Sequence, residues 1–231
     1  MSANTPDPRY AIYFVPNPET ELYRFGASVL GYDSYTGKDI PFIGSAAPDW
    51  PDKIREARAY GFHATLKPPF RLVEAPVASD LEAALDTFAK SQSPIDVGPV
   101  EVRSLGAFIA LVPVAPCSAL GQLAGACVQH FDHFRMPMNG QERARRLAAP
   151  LTKPQMINLD RWGYPYVFDD FQFHMTLTGP LVDDERAQTL QWLTAEFASR
   201  PAAQRLVLDR LVIALQAGSA FRVVHVALFE S

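Results

Sequence analysis

The sequence predicts an α+β protein of two pseudo-symmetric lobes, each an antiparallel sheet with helices outside. Three observations predict it. The order strand, helix, strand, strand occurs twice, once after Gly61 and again after Phe171. Both runs open on one five-residue phrase, Phe-His-x-Thr-Leu, at 62–66 and 173–177, with the histidines 111 residues apart. Finally, 231 residues that are 48% hydrophobic and 20% charged suffice for a substantial core and exclude a disordered or low-complexity chain. The expected organisation is one bilobal domain over 1–231, with roughly 61–114 matching 172–229.

The elements follow in order. Tyr10 to Pro16 is an apolar strand. Pro18 to Leu30 is a helix with Leu22, Phe25 and Val29 on one face and Gly31 as its stop. Residues 33–48 are loop, and Asp49 to Tyr60 is a short helix closed by Gly61. Phe62 to Lys67 is the first motif strand. Ser79 to Lys90 is a helix opened by a Ser79/Glu82 capping box. Val97 to Leu105 and Ala107 to Val114 are strands that turn at Gly106. Ser118 to Arg135 is the longest helix and links the lobes. The polar segment 136–171 holds two short helices, near 141–148 and 153–161, and is long enough to act as a lid. Phe171 to Thr178 is the second motif strand and Asp183 to Phe197 a helix. Arg205 to Leu215 and Ala220 to Phe229 close the chain as a hairpin.

Composition narrows the function. A net charge of −4 argues against binding along duplex nucleic acid, which leans on a dominant basic surface. No apolar run reaches the 18 or so residues of a membrane span. Met1 to Arg9 lacks the basic start of a secretory leader. The two cysteines, Cys117 and Cys127, lie ten residues apart in one predicted helix, about 15 Å, too far for a disulfide. The expectation is a cytoplasmic protein.

The chemistry lies in the repeated phrase. Strand side chains alternate, so Phe62, Ala64 and Leu66 share an apolar face, as do Phe173, Met175 and Leu177. The opposite faces carry His63, Thr65 and Lys67, and His174, Thr176 and Thr178. A neutral imidazole takes a proton from an attacking oxygen, and a protonated one gives a proton to a leaving oxygen. Threonine hydroxyls donate to phosphate oxygens and steady the charge of the transition state. That set suits phosphoryl chemistry with no metal and no cofactor.

These paired motifs, His63-Ala64-Thr65 and His174-Met175-Thr176, resemble the signature of the 2H phosphoesterase superfamily. The longer phrases Tyr-Gly-Phe-His-Ala-Thr-Leu-Lys-Pro-Pro-Phe at 60–70 and Arg-Trp-Gly-Tyr-Pro-Tyr at 161–166 are similar to its phosphonate-metabolism-associated branch. The resemblance covers Tyr10 to Phe229. It implies His-x-Thr strands facing a central cleft, as in cyclic phosphodiesterases. It implies metal-independent hydrolysis of a small sugar or nucleoside cyclic phosphate. His63 and His174 would be the catalytic acid–base pair, and Thr65 and Thr176 the phosphate ligands.

Around this set lie further candidate substrate contacts. Lys67 reads as an added phosphate cation or a surface lysine, and Thr178 holds the matching place in the second motif. Tyr60, Tyr164 and Tyr166 precede the motifs and either hydrogen-bond phosphate or stack on a base or sugar, or else pack the lobe edges. Arg143, Arg145, Arg146, Lys153 and Arg161 make the most basic stretch of an acidic chain and either hold a second phosphate or form a solvated helix face. His130 and His133 have metal-ligand spacing, but a packed helix explains them better, so no metal is assigned. No phosphate-binding loop of the Walker type occurs. The partner expected is a small phosphorylated substrate, with short RNA left open and no membrane. The alternatives are a phosphate-ligand binding protein without catalysis, or an enzyme processing RNA 2′,3′-cyclic phosphate ends.

Overall fold

The computed structural model describes residues 7–44, 46–73, 77–148 and 150–230. Most of the stretch assessed for a leader, 1–6, lies outside the described residues. The chain begins with β1 (Arg9–Phe14), whose last four residues are all buried. The Thr20 hydroxyl accepts the Tyr23 N–H at 3.2 Å, and α1 (Glu21–Leu30) therefore starts at this cap rather than at Pro18. Inside the predicted loop, β2 (Tyr32–Asp33) and β3 (Lys38–Asp39) form a small ribbon. Then come α2 (Trp50–Arg58), β4 (Ala64–Phe70) and α3 (Ala78–Lys90). Helix α3 is capped by Asp80, whose carboxylate accepts the Val77 N–H at 3.0 Å, in place of the predicted Ser79/Glu82 box.

The hairpin β5 (Ile95–Leu105) and β6 (Phe108–Pro113) turns at Gly106 as predicted. Helix α4 (Ser118–His130) ends five residues early. Asp132 is drawn to Lys67 and Arg135, and the chain tightens into a 3-10 turn over Asp132–Phe134. The segment 136–171 holds α5 (Gly140–Arg146) and α6 (Lys153–Trp162). After β7 (Met175–Thr176), α7 (Asp183–Ala198) is the longest helix at 16 residues, a place the sequence assigned to the linking helix. The chain closes with β8 (Arg205–Leu208), β9 (Arg210–Gln216) and β10 (Arg222–Leu228).

Two four-stranded antiparallel sheets form, in the orders β10-β9-β1-β4 and β7-β6-β5-β8. Helix α3 packs on β9 and β10, and α7 on β5 and β6. The sheets are built across the repeated order. Strand β4 lies in the first sheet, while the hairpin that follows it joins the second. Strands β7 and β8 lie in the second, while β9 and β10 join the first. The single strand predicted over 205–215 is broken at Asp209, and its two parts serve different sheets. Among the described residues no helix is long and apolar enough to cross a membrane. Both cysteines are unpaired.

One close approach positions the first motif. The Phe62 ring lies on Gly26 of α1, within 2.2 Å of where a Cβ would sit. In Gly26→Ala the helix gains about 1 kcal/mol of intrinsic propensity. Overpacking against a buried ring typically costs about 1–3 kcal/mol, and this overlap is severe. We expect Gly26→Ala to melt several degrees lower by circular dichroism. An equal or higher melting temperature would show that the contact does not constrain the fold.

Candidate active site

Strand β4 is one edge of the first sheet and β7 one edge of the second, and their backbones approach within 8 Å. The predicted alternation holds. Phe62, Ala64 and Leu66 are buried, as are Phe173, Met175 and Leu177. The motif strands are shifted or shorter than predicted. Both histidines stand one residue ahead of their strands, because each ring bonds its own backbone instead of extending a ladder. Beyond Thr176 the ladder slips, since the Leu177 and Thr178 N–H groups both donate to the Ile109 carbonyl (2.9 and 3.2 Å).

The two histidines make the same local bond. His63 Nδ1 lies 2.9 Å from the Gly61 carbonyl, and His174 Nδ1 lies 2.8 Å from the Gln172 carbonyl, each two residues back. A carbonyl only accepts, so Nδ1–H donates in both rings and each neutral ring carries its lone pair on Nε2. Gly61 sits at φ +72°, and a Cβ there would meet Ser34 Cβ at 3.0 Å. Its backbone turn presents the carbonyl to His63. The Thr65 hydroxyl donates to His63 Nε2 at 3.0 Å. Burial pushes the His63 imidazole down to about 4, against the raising effect of the Gly61 carbonyl, and the charge of His174 adds to the lowering. Burial also lowers His174, opposed by the Gln172 carbonyl. Both rings are therefore neutral near pH 7.

The cleft consists of two adjoining cavities that share Thr65 and Phe108. One, about 260 Å³, is lined by His63, Thr176 and Tyr60. The other, about 340 Å³, is lined by His174, Tyr164, Tyr166 and Phe168. Tyr60 and Tyr166 are 38% and 43% exposed, which puts both at the rim. The Gly179 N–H donates to the Lys53 carbonyl of α2 at 2.7 Å and ties the end of the second motif to the first lobe.

Three predicted contacts go elsewhere, and a fourth, Thr178, lines the His63 cavity with its hydroxyl already bonded. Lys67 shares the polar face of β4 but is 1% exposed, with Nζ on the Val128 carbonyl (3.0 Å) and Asp132 Oδ1 (3.1 Å). It is an anchor, because α4 covers that end of the strand. The Thr178 hydroxyl is fully buried and spent on backbone, accepting from the Ile109 N–H (3.0 Å) and donating to the Gly179 carbonyl (2.9 Å). Arg143 forms a fork with Asp160 (2.7 and 3.1 Å). Arg161 stacks on Trp162 at 4.8 Å. Neither arginine lines the cleft.

The sequence reading missed Tyr13 and Phe108. Tyr13 pairs with Thr65 across β1 and β4, and its ring stacks on His63 with centroids 3.9 Å apart. The signal was the alternating position of Tyr13 in the first strand, but its neighbour is a matter of register. Among the described residues no group of three or more His, Cys, Asp or Glu side chains is placed to hold a metal ion. His130 rests against Phe88 at 4.9 Å.

Residues 65–222 match the model of a family described as "Protein of unknown function (DUF1045)". The chain belongs to this DUF1045 family. It is also 37% identical over 214 residues to a protein of Janthinobacterium sp. (strain Marseille) named ribose 1,5-bisphosphate phosphokinase PhnN. That match covers 89% of this chain and 47% of the relative. A protein of Laribacter hongkongensis (strain HLHK9) with the same name is 29% identical over 216 residues, covering 93% of this chain and 50% of the relative. The chain thus spans about half the length of the curated relatives it matches.

Two predictions follow from the site's electrostatics. The folded value of His63, about 4, lies below the ordinary 6.5. Between those values the unfolded state binds more protons, so stability falls as pH drops from 6.5 to 4. At about 1.36 kcal/mol per unit the full loss is on the order of 3 kcal/mol. Urea midpoints at pH 7.5 and 4.5 should show a smaller acid loss for His63→Gln than for the wild type, and equal losses would refute the burial effect. Lys67→Ala removes one partner of a buried ion pair, a change that typically costs about 3–5 kcal/mol. The same urea titration should record it, and wild-type stability would refute the anchor.

Proposed function

We propose that this DUF1045 protein is a phosphodiesterase that opens a small cyclic phosphate of a sugar or nucleoside by paired-histidine acid–base catalysis. One observation carries the reading. Two histidines, each followed at i+2 by a threonine, are held in the same tautomer by the same local bond and line two adjoining cavities that share Thr65 and Phe108. In the proposed step, His63 Nε2 takes a proton from water as the water oxygen bonds phosphorus. The ring P–O bond breaks, and His174 Nε2–H protonates the leaving oxygen. For this step the Thr65 hydroxyl turns from His63 Nε2 to a non-bridging oxygen, which frees that lone pair for the water, and Thr176 donates to another. His63 is assigned the base because it is the more deeply buried ring and rests unprotonated near pH 7. His174 gains its proton as the phosphate anion enters, since an adjacent negative charge raises an imidazole.

Further support comes from the surroundings. Cavities of this size suit a small molecule better than a polymer. Segment 136–171 supplies Tyr164, Tyr166 and Phe168 to the cleft and is read as its lid. The relatives' name supports a phosphorylated ribose as the substrate class. It supports kinase chemistry poorly for this chain. The nearest approach to a phosphate-binding loop, Gly31 to Gly37-Lys38-Asp39, has five intervening residues where the loop has four, and Asp where it has Ser or Thr. That stretch folds as the β2–β3 ribbon, not as a strand–loop–helix. We assign the named kinase activity to the half of the relatives outside the match. The resemblance of the motif phrases to the phosphonate-associated branch supports a reaction that belongs to phosphonate metabolism. The repeated element order, 61–114 against 172–229, is read as a duplication that supplied one His-x-Thr strand to each sheet.

The test is a phosphorus NMR time course on ribose 1,2-cyclic phosphate, nucleoside 2′,3′-cyclic phosphates and a short RNA with a cyclic end, each with chelator. One small compound should be opened. His63→Ala and His174→Ala should each lose roughly 10²–10⁴-fold in rate. The kcat/KM profile should peak on the acid side of 6.5, because productive encounter needs one charged ring and both are lowered. Undiminished turnover in either histidine variant would sink the assignment. Saturable binding without product would make the protein a phosphate-ligand binder instead.

A further inference from the structure

A third cavity, about 290 Å³, adjoins the histidine cleft, and Tyr60 lines both. Five arginines line it, Arg9, Arg71, Arg135, Arg145 and Arg146, against one carboxylate, Glu142. In a chain of net charge −4 this is a concentrated positive field. Its members come from distant places. Arg9 opens β1, on the face shared by Tyr13, and is held by Gln216 at 2.9 Å. Arg71 and Arg135 are joined by a backbone bridge at Leu72–Arg135, with the Met136 N–H on the Arg71 carbonyl at 2.7 Å. Each of that pair already has a carboxylate partner, Glu142 (2.9 Å) and Asp132 (2.8 Å), which orients its fork. Arg146 lies over the Tyr164 ring at 5.0 Å. Among the described residues Arg9, Arg145 and Arg146 have no carboxylate partner.

We propose that the arginine cavity is a subsite for a second, non-reacting phosphate, so that the substrate is a cyclic phosphodiester carrying a phosphate monoester at its far end. Arginine forks match phosphate oxygens two at a time, and several unpaired guanidinium groups suit a dianion. The shared wall at Tyr60 puts both phosphates on one small molecule. The assignment of substrate class rests on the proposed reaction at the histidines, while the anion site itself does not.

Calorimetric titration with ribose 5-phosphate separates the two. The wild type should bind it, the double variant His63→Ala/His174→Ala should still bind it, and ribose should not bind. Arg9→Gln/Arg146→Gln, checked for fold by circular dichroism, should bind at least tenfold more weakly. Wild-type affinity in the arginine variant, loss of binding with the histidines instead, or no binding by the wild type would each overturn the subsite. If ring opening is observed, kcat/KM for a cyclic phosphate with a terminal monoester should exceed that without it by tenfold or more, and the ratio should collapse in the arginine variant. Binding that follows the arginines without any ring opening would keep the anion site and discard the phosphodiesterase.

Discussion

The ammonium group of Lys67 lies almost wholly out of water, and much of the molecule is arranged around it. A buried charge is tolerated only where its protons are matched. Here the Val128 carbonyl, at the end of α4, and the Asp132 carboxylate match them. Asp132 in turn holds the Arg135 guanidinium through two bonds, and Arg135 reaches the Arg161 carbonyl at 3.0 Å, near the end of α6. A single chain of charge thus runs from β4 through α4 to the segment that borders the cleft. It also delivers Arg135 to the wall of the arginine cavity. The same polar face of β4 is cleft at His63 and Thr65 and anchor at Lys67, because α4 covers one end only.

The cleft itself arises from two sheet edges left unpaired. Exposed edges invite pairing with other chains, and proteins blunt them. Strand β4 carries Pro68 and Pro69, which offer no N–H, and β7 is two residues long. Between these edges the backbones leave room for side chains rather than for a ladder. The histidines fill that room with the same small device, a ring N–H returned to the carbonyl two residues back. The device fixes the tautomer without help from a distant residue, which explains how one short phrase serves in two different sheets. Burial then keeps both rings uncharged near pH 7.

Much of this was legible in the residues. The Phe-His-x-Thr-Leu phrase carries its own alternation, and the observed burial of Phe62, Ala64, Leu66, Phe173, Met175 and Leu177 follows it. Periodicity also located the helices and the turn at Gly106. The failures share a cause. Lys67 and Thr178 stand on the predicted face, but what covers that face comes from α4 for one and from the Ile109 backbone for the other. Arg143 and Arg161 lie in a basic run of sequence, yet Asp160 and Trp162 occupy them. Of the arginines that do gather, Arg145 and Arg146 belong to that basic run, while Arg9, Arg71 and Arg135 stand outside it and are brought there by the fold.

What the sequence by itself determined is local. Strand and helix periods, the facing of each motif residue and the return bond from each histidine to its own backbone depend on neighbours within a few positions. Tertiary structure alone decided which edges meet, that the hairpin after each motif joins the opposite sheet, that Tyr13 lies under His63, and which cations face the cleft or the cavity beside it. The physical reason is that strand pairing and charge burial are contacts between residues far apart in the chain. Their partners are selected by register and by the helices packed over them, quantities that no short stretch of sequence contains.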